Sequence, residues 1–237
     1  MEEVNEQTKQ NAMNELAKFD FNAVMLNILL QKSMSEKINF STITGWHQSH
    51  PYLRLNIYNG VQMSQVLGVY LALNPNYISQ FDNIIEIGTY NGGLTSWLYD
   101  NKNSNAIVVS YDIDGTINQT GRTDIDFRVE DCFEEKAFND IISYIKRPGK
   151  TLVVCDGGDK PKEFNVFSEY LKSGDMIIAH DYSASPEYWK QATDYWQWPY
   201  APDTNYDTLK EGIIKNGLEP YRSKEFNFYL WASYIKK

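Results

Sequence analysis

The chain has 237 residues, of which 42% are hydrophobic and 22% charged, and a formal net charge of −9. That supplies the core of one large α/β domain, is short for two full ones, and excludes a chain disordered throughout. The acidity, with no Lys/Arg-rich run, argues against nucleic acid and anionic membrane surfaces as partners.

Residues 1–10 are polar. Leu16, Phe19, Ala23, Leu26 and Leu30 then recur at helical spacing, so the pattern predicts a helix over Asn14–Lys32. Residues 33–59 have no clear period but carry Trp46, His47, His50, Tyr52 and Tyr58. They are a candidate lid or a contact between copies in a homo-oligomer. The two histidines lack the cysteine or carboxylate company a zinc site needs. Gly60 opens a second helical pattern that Asn74-Pro75 ends. We therefore expect a helical extension over 1–80 and one catalytic domain over 81–237.

From Asn83 the pattern alternates between strand and helix. Strands are predicted at Asn83–Ile87, Ala106–Asp112, Ile125–Val129, Thr151–Asp156 and Asp175–His180, with helices from about Gly93, around Phe138–Ile145 and around Phe164–Leu171. Val/Ile-rich strands separated by helices predict a Rossmann-like, doubly wound, mostly parallel sheet covered on both faces. A helix near Thr208–Lys215 precedes two further strands, Leu218–Tyr221 and Asn227–Ile235. No helix fits between them by pattern, so they are expected to form an antiparallel hairpin turning at Ser223-Lys224. The two cysteines, Cys132 and Cys155, do not make a disulfide framework. Reduced thiols, and no basic segment leading into an apolar one at the start, lead to the expectation of a cytoplasmic protein.

In parallel sheets ligands bind beyond the carboxyl ends of the strands, so the residues there carry the functional argument. The first strand runs into Glu86-Ile87-Gly88-Thr89-Tyr90-Asn91-Gly92-Gly93. Gly88 permits a sharp turn, and Gly92 and Gly93 permit close approach of backbone to a ligand at a helix N-terminus. The turn is not G-x-G-x-x-G, which weakens a dinucleotide reading. The second strand ends at Asp112, with Asp114 as a neighbouring alternative, and the third leads into Glu130-Asp131-Cys132-Phe133. A carboxylate can accept two hydroxyls at once. Asp131 reads equally as a helix cap.

Glu86 to Gly92 resembles motif I of class I S-adenosylmethionine-dependent methyltransferases, E/D-x-G-x-x-x-G. The resemblance covers Asn83 to the C-terminus and implies the fold above, with the terminal hairpin a feature of that family. It implies S-adenosyl-L-methionine as cofactor, with Glu86, Gly88, Tyr90, Gly92 and Gly93 around its methionine part. Asp112 would then lie on the ribose hydroxyls, Asp131 on the adenine amino group and Cys132 against the ring.

The fourth strand ends Asp156-Gly157-Gly158-Asp159-Lys160 and the fifth His180-Asp181-Tyr182. This pair is similar to a subgroup near the cephalosporin-hydroxylase-like, macrolide-sugar and catechol-type O-methyltransferases. Several of these hold Mg²⁺ with carboxylates at the two strand ends. The resemblance implies a divalent ion on Asp156 and Asp181, and Asp156, Asp159 and His180 as catalytic candidates, with Asp156 also facing the cofactor. Asp159 departs from the subgroup, which has His there. By their own chemistry, Asp156 reads equally as a turn cap and Asp181 as a loop anchor.

Tyr188, Trp189, Tyr195, Trp196, Trp198, Tyr200 and Tyr206 follow the fifth strand, where they would clasp a small-molecule acceptor or pack on the domain. The function expected is methyl transfer to a small-molecule or sugar hydroxyl. An NAD-dependent oxidoreductase and a non-catalytic nucleotide-binding protein of the same fold are the alternatives.

Overall fold

A computed structural model of the chain describes residues 57–58, 61–62, 77–116, 118–186, 202–228 and 230–237. All belong to one compact unit, Thr42–Lys237. The expected helix over 14–32, His47 and His50, and the aromatic residues from Tyr188 to Tyr200 lie outside the described residues.

A hairpin of β1 (Ile57–Tyr58) and β2 (Val61–Gln62) comes first. Val61 and Gln62 are therefore extended, where the pattern opened a helix at Gly60. Then follow β3 (Asn83–Ile87), α1 (Gly93–Asn101), β4 (Ile107–Asp112), β5 (Asp126–Val129), α2 (Glu135–Ile145), β6 (Thr151–Cys155), α3 (Lys160–Phe167) and β7 (Met176–Ala179). The chain continues through β8 (Tyr182–Ser183), β9 (Thr204–Asn205), α4 (Tyr206–Lys215), β10 (Leu218–Pro220), α5 (Ser223–Phe228) and β11 (Ala232–Lys236).

Seven strands form one sheet in the order β10-β11-β7-β6-β3-β4-β5. Pairings from β5 through β7 are parallel, whereas β11 runs antiparallel to β7 and β10 to β11. This is the Rossmann-like, mostly parallel sheet with an antiparallel hairpin that the alternation predicts. The central strands β3, β6 and β7 are buried along their whole length, as near-continuous apolar runs covered on two faces must be. On α2, Ala137, Ile141 and Ile145 line the buried face, and Phe138 packs on Phe167 and Tyr170. An Asn205–Thr208 capping box starts α4.

The antiparallel end of the sheet also differs from expectation. The hairpin strands are not joined by a short turn: α5 lies between them, and β11 begins at Ala232 rather than Asn227. Phe226 and Trp231 are fully buried around this connection, so tertiary burial holds a helical turn that the local pattern does not specify. Antiparallel pairing survives because the connection is still too short for a parallel crossover. Cys132 and Cys155 are both free and buried. Among the described residues no helix is long and apolar enough to cross a membrane.

The chain visits β3, β4 and β5 on one side and then crosses to β6 and β7 on the other. The switch falls between β3 and β6, so the place where such a sheet is expected to take a ligand lies beyond Ile87 and Cys155, at Gly88 and Asp156.

Candidate active site

The floor of this site is a joint between two strand ends. The N–H of Gly88 donates to the carbonyl of Tyr111 at 2.8 Å, and that of Asp156 to the carbonyl of Ile87 at 2.8 Å. Gly88 has φ +92°, and a Cβ there would fall on the carbonyl of Asp156 and within 2.7 Å of the Gly157 nitrogen. The glycine lets one chain end pack on another. Gly92, at φ +86°, plays a similar part: a Cβ would lie 2.6 Å from Thr120 Cγ2. The close approach at Gly92 is thus by the loop after β4. Gly93 is the buried first residue of α1.

Asp112 ties the two loops of the cofactor side together. Its Oδ2 accepts the Tyr90 N–H at 2.8 Å and its Oδ1 the Asp114 N–H at 3.0 Å. This holds Tyr90, at φ 47°, in a left-handed conformation with its ring half exposed. Each carboxylate oxygen keeps a second lone pair for a ligand. Asp114, the alternative, is exposed and closes its own turn on Thr116 at 2.9 and 2.6 Å. Ile113 follows Asp112 with its side chain 77% exposed, and Val129 ends β5 61% exposed. Apolar side chains this open at the carboxyl edge were not singled out from sequence. The signal for Ile113 was its place directly after the strand's terminal acid.

Glu86 lies beneath them, wholly buried. Its Oε2 accepts from Thr95 Oγ1 and, at 2.6 Å, from Ser110 Oγ, which Thr89 Oγ1 also contacts at 2.6 Å. Its Oε1 has no partner among the described residues. Burial pushes this carboxyl from its ordinary value up to about 8.

Asp131 is exposed and accepts the Phe133 N–H at 2.8 Å, an Asx turn one step ahead of α2. The N-cap of α2 is Glu134, so Asp131 orders the loop before the helix and does not cap it. Cys132 is buried in the main core, and burial pushes its thiol up to about 12.

The opposite side of the site is ionic. His180 follows β7, donates its backbone N–H to the carbonyl of Cys155, and stacks on Trp231 with centroids 4.6 Å apart. Its Nδ1 lies 2.8 Å from Asp156 Oδ1. A carboxylate only accepts, so Nδ1 carries the hydrogen and Nε2 of the neutral ring is the open lone pair. Nε2 is buried without a hydrogen-bond partner, 3.7 Å from Asp181 Oδ1. Burial works to lower the His180 pKa, but the Asp156 and Asp181 carboxylates outweigh it and the net shift is upward. Asp181, at φ 52°, is held to Lys160 Nζ at 3.2 Å, and Lys160 also reaches Asp203 at 3.0 Å. Burial works to raise the Asp181 carboxyl, but His180 and Lys160 hold it below the ordinary range.

Of the sequence candidates, Asp156, His180 and Asp181 thus come together. Asp159 instead caps α3, accepting the Lys162 N–H at 3.2 Å, and none of its recorded bonds reaches the ionic group. Lys160, Glu163, Asp203 and Trp231 were missed. Glu163 is buried and takes the N–H groups of Gly157 and Asp159, each at 3.2 Å, so it shapes the loop after β6. Burial pushes its carboxyl up to about 7. A Glu four residues after a cap residue was the available signal. Trp231 had none, since β7 and β11 meet only in the sheet.

No family model and no curated protein matches this chain. Solved structures do. The apo-structure of CmcI aligns at 17% identity and TM-score 0.54, covering 81% of this chain and 78% of that one. CmcI with Mg-SAM aligns at 18% identity and TM-score 0.51, covering 85% and 83%. The O-methyltransferase TomG from Streptomyces achromogenes, in complex with SAM, aligns at 13% and TM-score 0.40, covering 70% and 81%. The chain has the fold of CmcI.

Proposed function

We propose that this protein is an S-adenosylmethionine-dependent methyltransferase acting on a small-molecule or sugar hydroxyl. The observation that carries the reading is the carboxyl edge of β3 and β4. There a carboxylate with free lone pairs, Asp112, is followed by the open apolar side chain of Ile113, above the orphaned Oε1 of buried Glu86. Those features fit a ligand with a ribose, a flat base and an ammonium group. SAM is named with CmcI, which shares the fold at TM-score 0.51.

The cofactor, when bound, supplies an electrophilic methyl group on a sulfonium sulfur. Asp112 would hold the ribose hydroxyls, the Gly88 turn would seat the methionine part and Ile113 would cover one face of the base. Asp131 and Cys132 remain candidates for the base edge. On the other side Asp156 would fix the tautomer and orientation of His180, whose Nε2 would take the acceptor's hydroxyl proton as the acceptor oxygen bonds the methyl carbon and the carbon–sulfonium bond breaks, with S-adenosylhomocysteine as the leaving group. Alignment of acceptor and methyl in one site supplies much of the rate. The aromatic segment from Tyr188 to Tyr206 is the proposed clasp for the acceptor.

Mg is also named with CmcI in that structure. The residues here do not fit a divalent ion on Asp156 and Asp181. One Asp156 oxygen takes the imidazole N–H and one Asp181 oxygen takes an ammonium. Among the described residues no group of three His, Cys, Asp or Glu is placed to hold a metal. A hard ion needs several free oxygens.

Calorimetry with S-adenosylhomocysteine and with NAD tests the reading. Binding of the first and not the second is expected; the reverse overturns it.

A further inference from the structure

We propose that Arg122 is a positioning residue of the cofactor side: it anchors the far end of the loop after β4 to α1, and so holds Asp112 and Ile113 where a nucleoside would meet them. This rests on the reading of that edge as a cofactor site, and goes beyond it by assigning a residue remote from the ligand.

The loop after β4 meets three consecutive residues of the glycine turn. Asp112 Oδ2 accepts the Tyr90 N–H at 2.8 Å, and the Gln119 N–H donates to the carbonyl of Asn91 at 3.0 Å. Thr120 Cγ2 occupies the space beside Gly92 that a Cβ would need. Gly115 closes on the end of β5 in the same way, since a Cβ there would collide with Val129 Cγ2. Bonds within the loop, between Asp114 and Thr116 and between Asn118 and Thr120, fix its shape but not its place on the domain.

Arg122 supplies the place. Its Nη1 donates to Asp100 Oδ1 at 2.7 Å, and its Nε and Nη2 fork onto the two oxygens of Asp124 at 3.0 and 2.7 Å. Its guanidinium lies 5.0 Å from the centre of the Tyr99 ring. Tyr99 and Asp100 stand near the C-terminal end of α1, whereas Thr120 sits at its N-cap, Gly92. From Gly92 to Asp100 the helix rises about 12 Å. The chain from Thr120 to Arg122 reaches about 7 Å at most, so a long side chain is what carries the loop to the far end of the helix. An exposed ion pair contributes little, but a forked guanidinium with a second carboxylate and a ring beneath it is better fixed. The Arg122 side chain is 24% exposed. A lysine would bring the charge without the fork.

Arg122 thus acts through the loop. Freeing it lets Gln119 and Thr120 leave the glycine turn, and the arrangement competent to bind becomes a fraction of the population. The test uses the full chain, with hydrogen exchange of the ligand-free protein followed at Tyr90 and Gln119, and S-adenosylhomocysteine calorimetry. Arg122→Ala should speed exchange at both positions. It should raise the Kd on the order of tenfold, as expected when the competent arrangement falls to about a tenth of the population. Asp124→Asn, which breaks the fork, should act in the same direction, and the double variant should bind no more weakly than Arg122→Ala alone. If Arg122→Ala fails to fold by circular dichroism, Arg122→Lys is judged by the same criteria. A folded Arg122→Ala with wild-type affinity would overturn the proposal. So would losses that simply add in the double variant, or weakened binding with exchange unchanged. A wild type that does not bind S-adenosylhomocysteine would overturn the methyltransferase reading instead. Exchange in the ligand-free variant still reads the anchor, so either can fail alone.

Discussion

His180 and Asp156 form a buried pair, Nδ1 to Oδ1 at 2.8 Å, that leaves the imidazole Nε2 buried without a hydrogen-bond partner, 3.7 Å from Asp181 Oδ1. The strand ends of β6 and β7 bring them together, since Cys155 and Ala179 are directly paired in the sheet. Trp231 closes one face of the ring and limits its rotation.

The first prediction concerns that pair. The chain has 3 histidines, so the ring signals of His180 are separable by NMR. The wild-type pKa should lie above the ordinary histidine value. Asp156→Asn removes the larger of the two carboxylate contributions that outweigh burial, so the pKa should fall. A raised histidine pKa stabilises the fold fully below the unfolded value of 6.5, and the contribution is lost as pH rises through the folded value. Turnover of an acceptor should fall by about 10²–10⁴ in the same variant. A His180 titration indifferent to Asp156→Asn would discard the dyad.

Asp112→Ala should weaken S-adenosylhomocysteine by about 1.5–3 kcal/mol, the range for a hydrogen bond to a charged group. It also frees the N–H groups of Tyr90 and Asp114. Loss of loop order should therefore appear in hydrogen exchange at both positions. Unchanged affinity by calorimetry would place the ribose elsewhere.

Gly88→Val should damage the fold as well as the site. From sequence, Gly88 reads only as permitting a sharp turn after the strand. The structure puts the carbonyl of Asp156 where a Cβ would go, at a φ of +92°. Overpacking of this kind costs about 1–3 kcal/mol, with backbone strain added. Thermal melting should show the loss without any ligand. A variant as stable as wild type would mean that the β3–β6 joint can open.

Glu86 gives a pH dependence of stability. Its folded carboxyl is raised from 4.5 to about 8 by burial. The folded state therefore holds the proton more tightly than the unfolded chain, and stability falls as pH rises from about 4.5 through about 8. Glu163, raised to about 7, adds a slope of the same sign. Glu86→Gln keeps a neutral acceptor, so its melting temperature should decline less across that window. Parallel curves for the two proteins would show that Glu86 does not titrate there.

The alternation of Val/Ile strands with helices, the antiparallel end of the sheet and the acidic residues closing successive strands were legible in the sequence. Period and residue type report burial and local backbone geometry. So were Asp112, Asp156, His180 and Asp181 as site candidates, because residues after parallel strands face one edge whatever the strand order. What lies between strands was not legible. Gly88 meets Asp156 only because β3 and β6 are neighbours, and Trp231 meets His180 only because β11 pairs with β7. Lys160 reads locally as the start of a polar helix, and α5 as a turn. Their roles depend on carboxylates and buried aromatics brought close by tertiary packing, which local pattern does not encode.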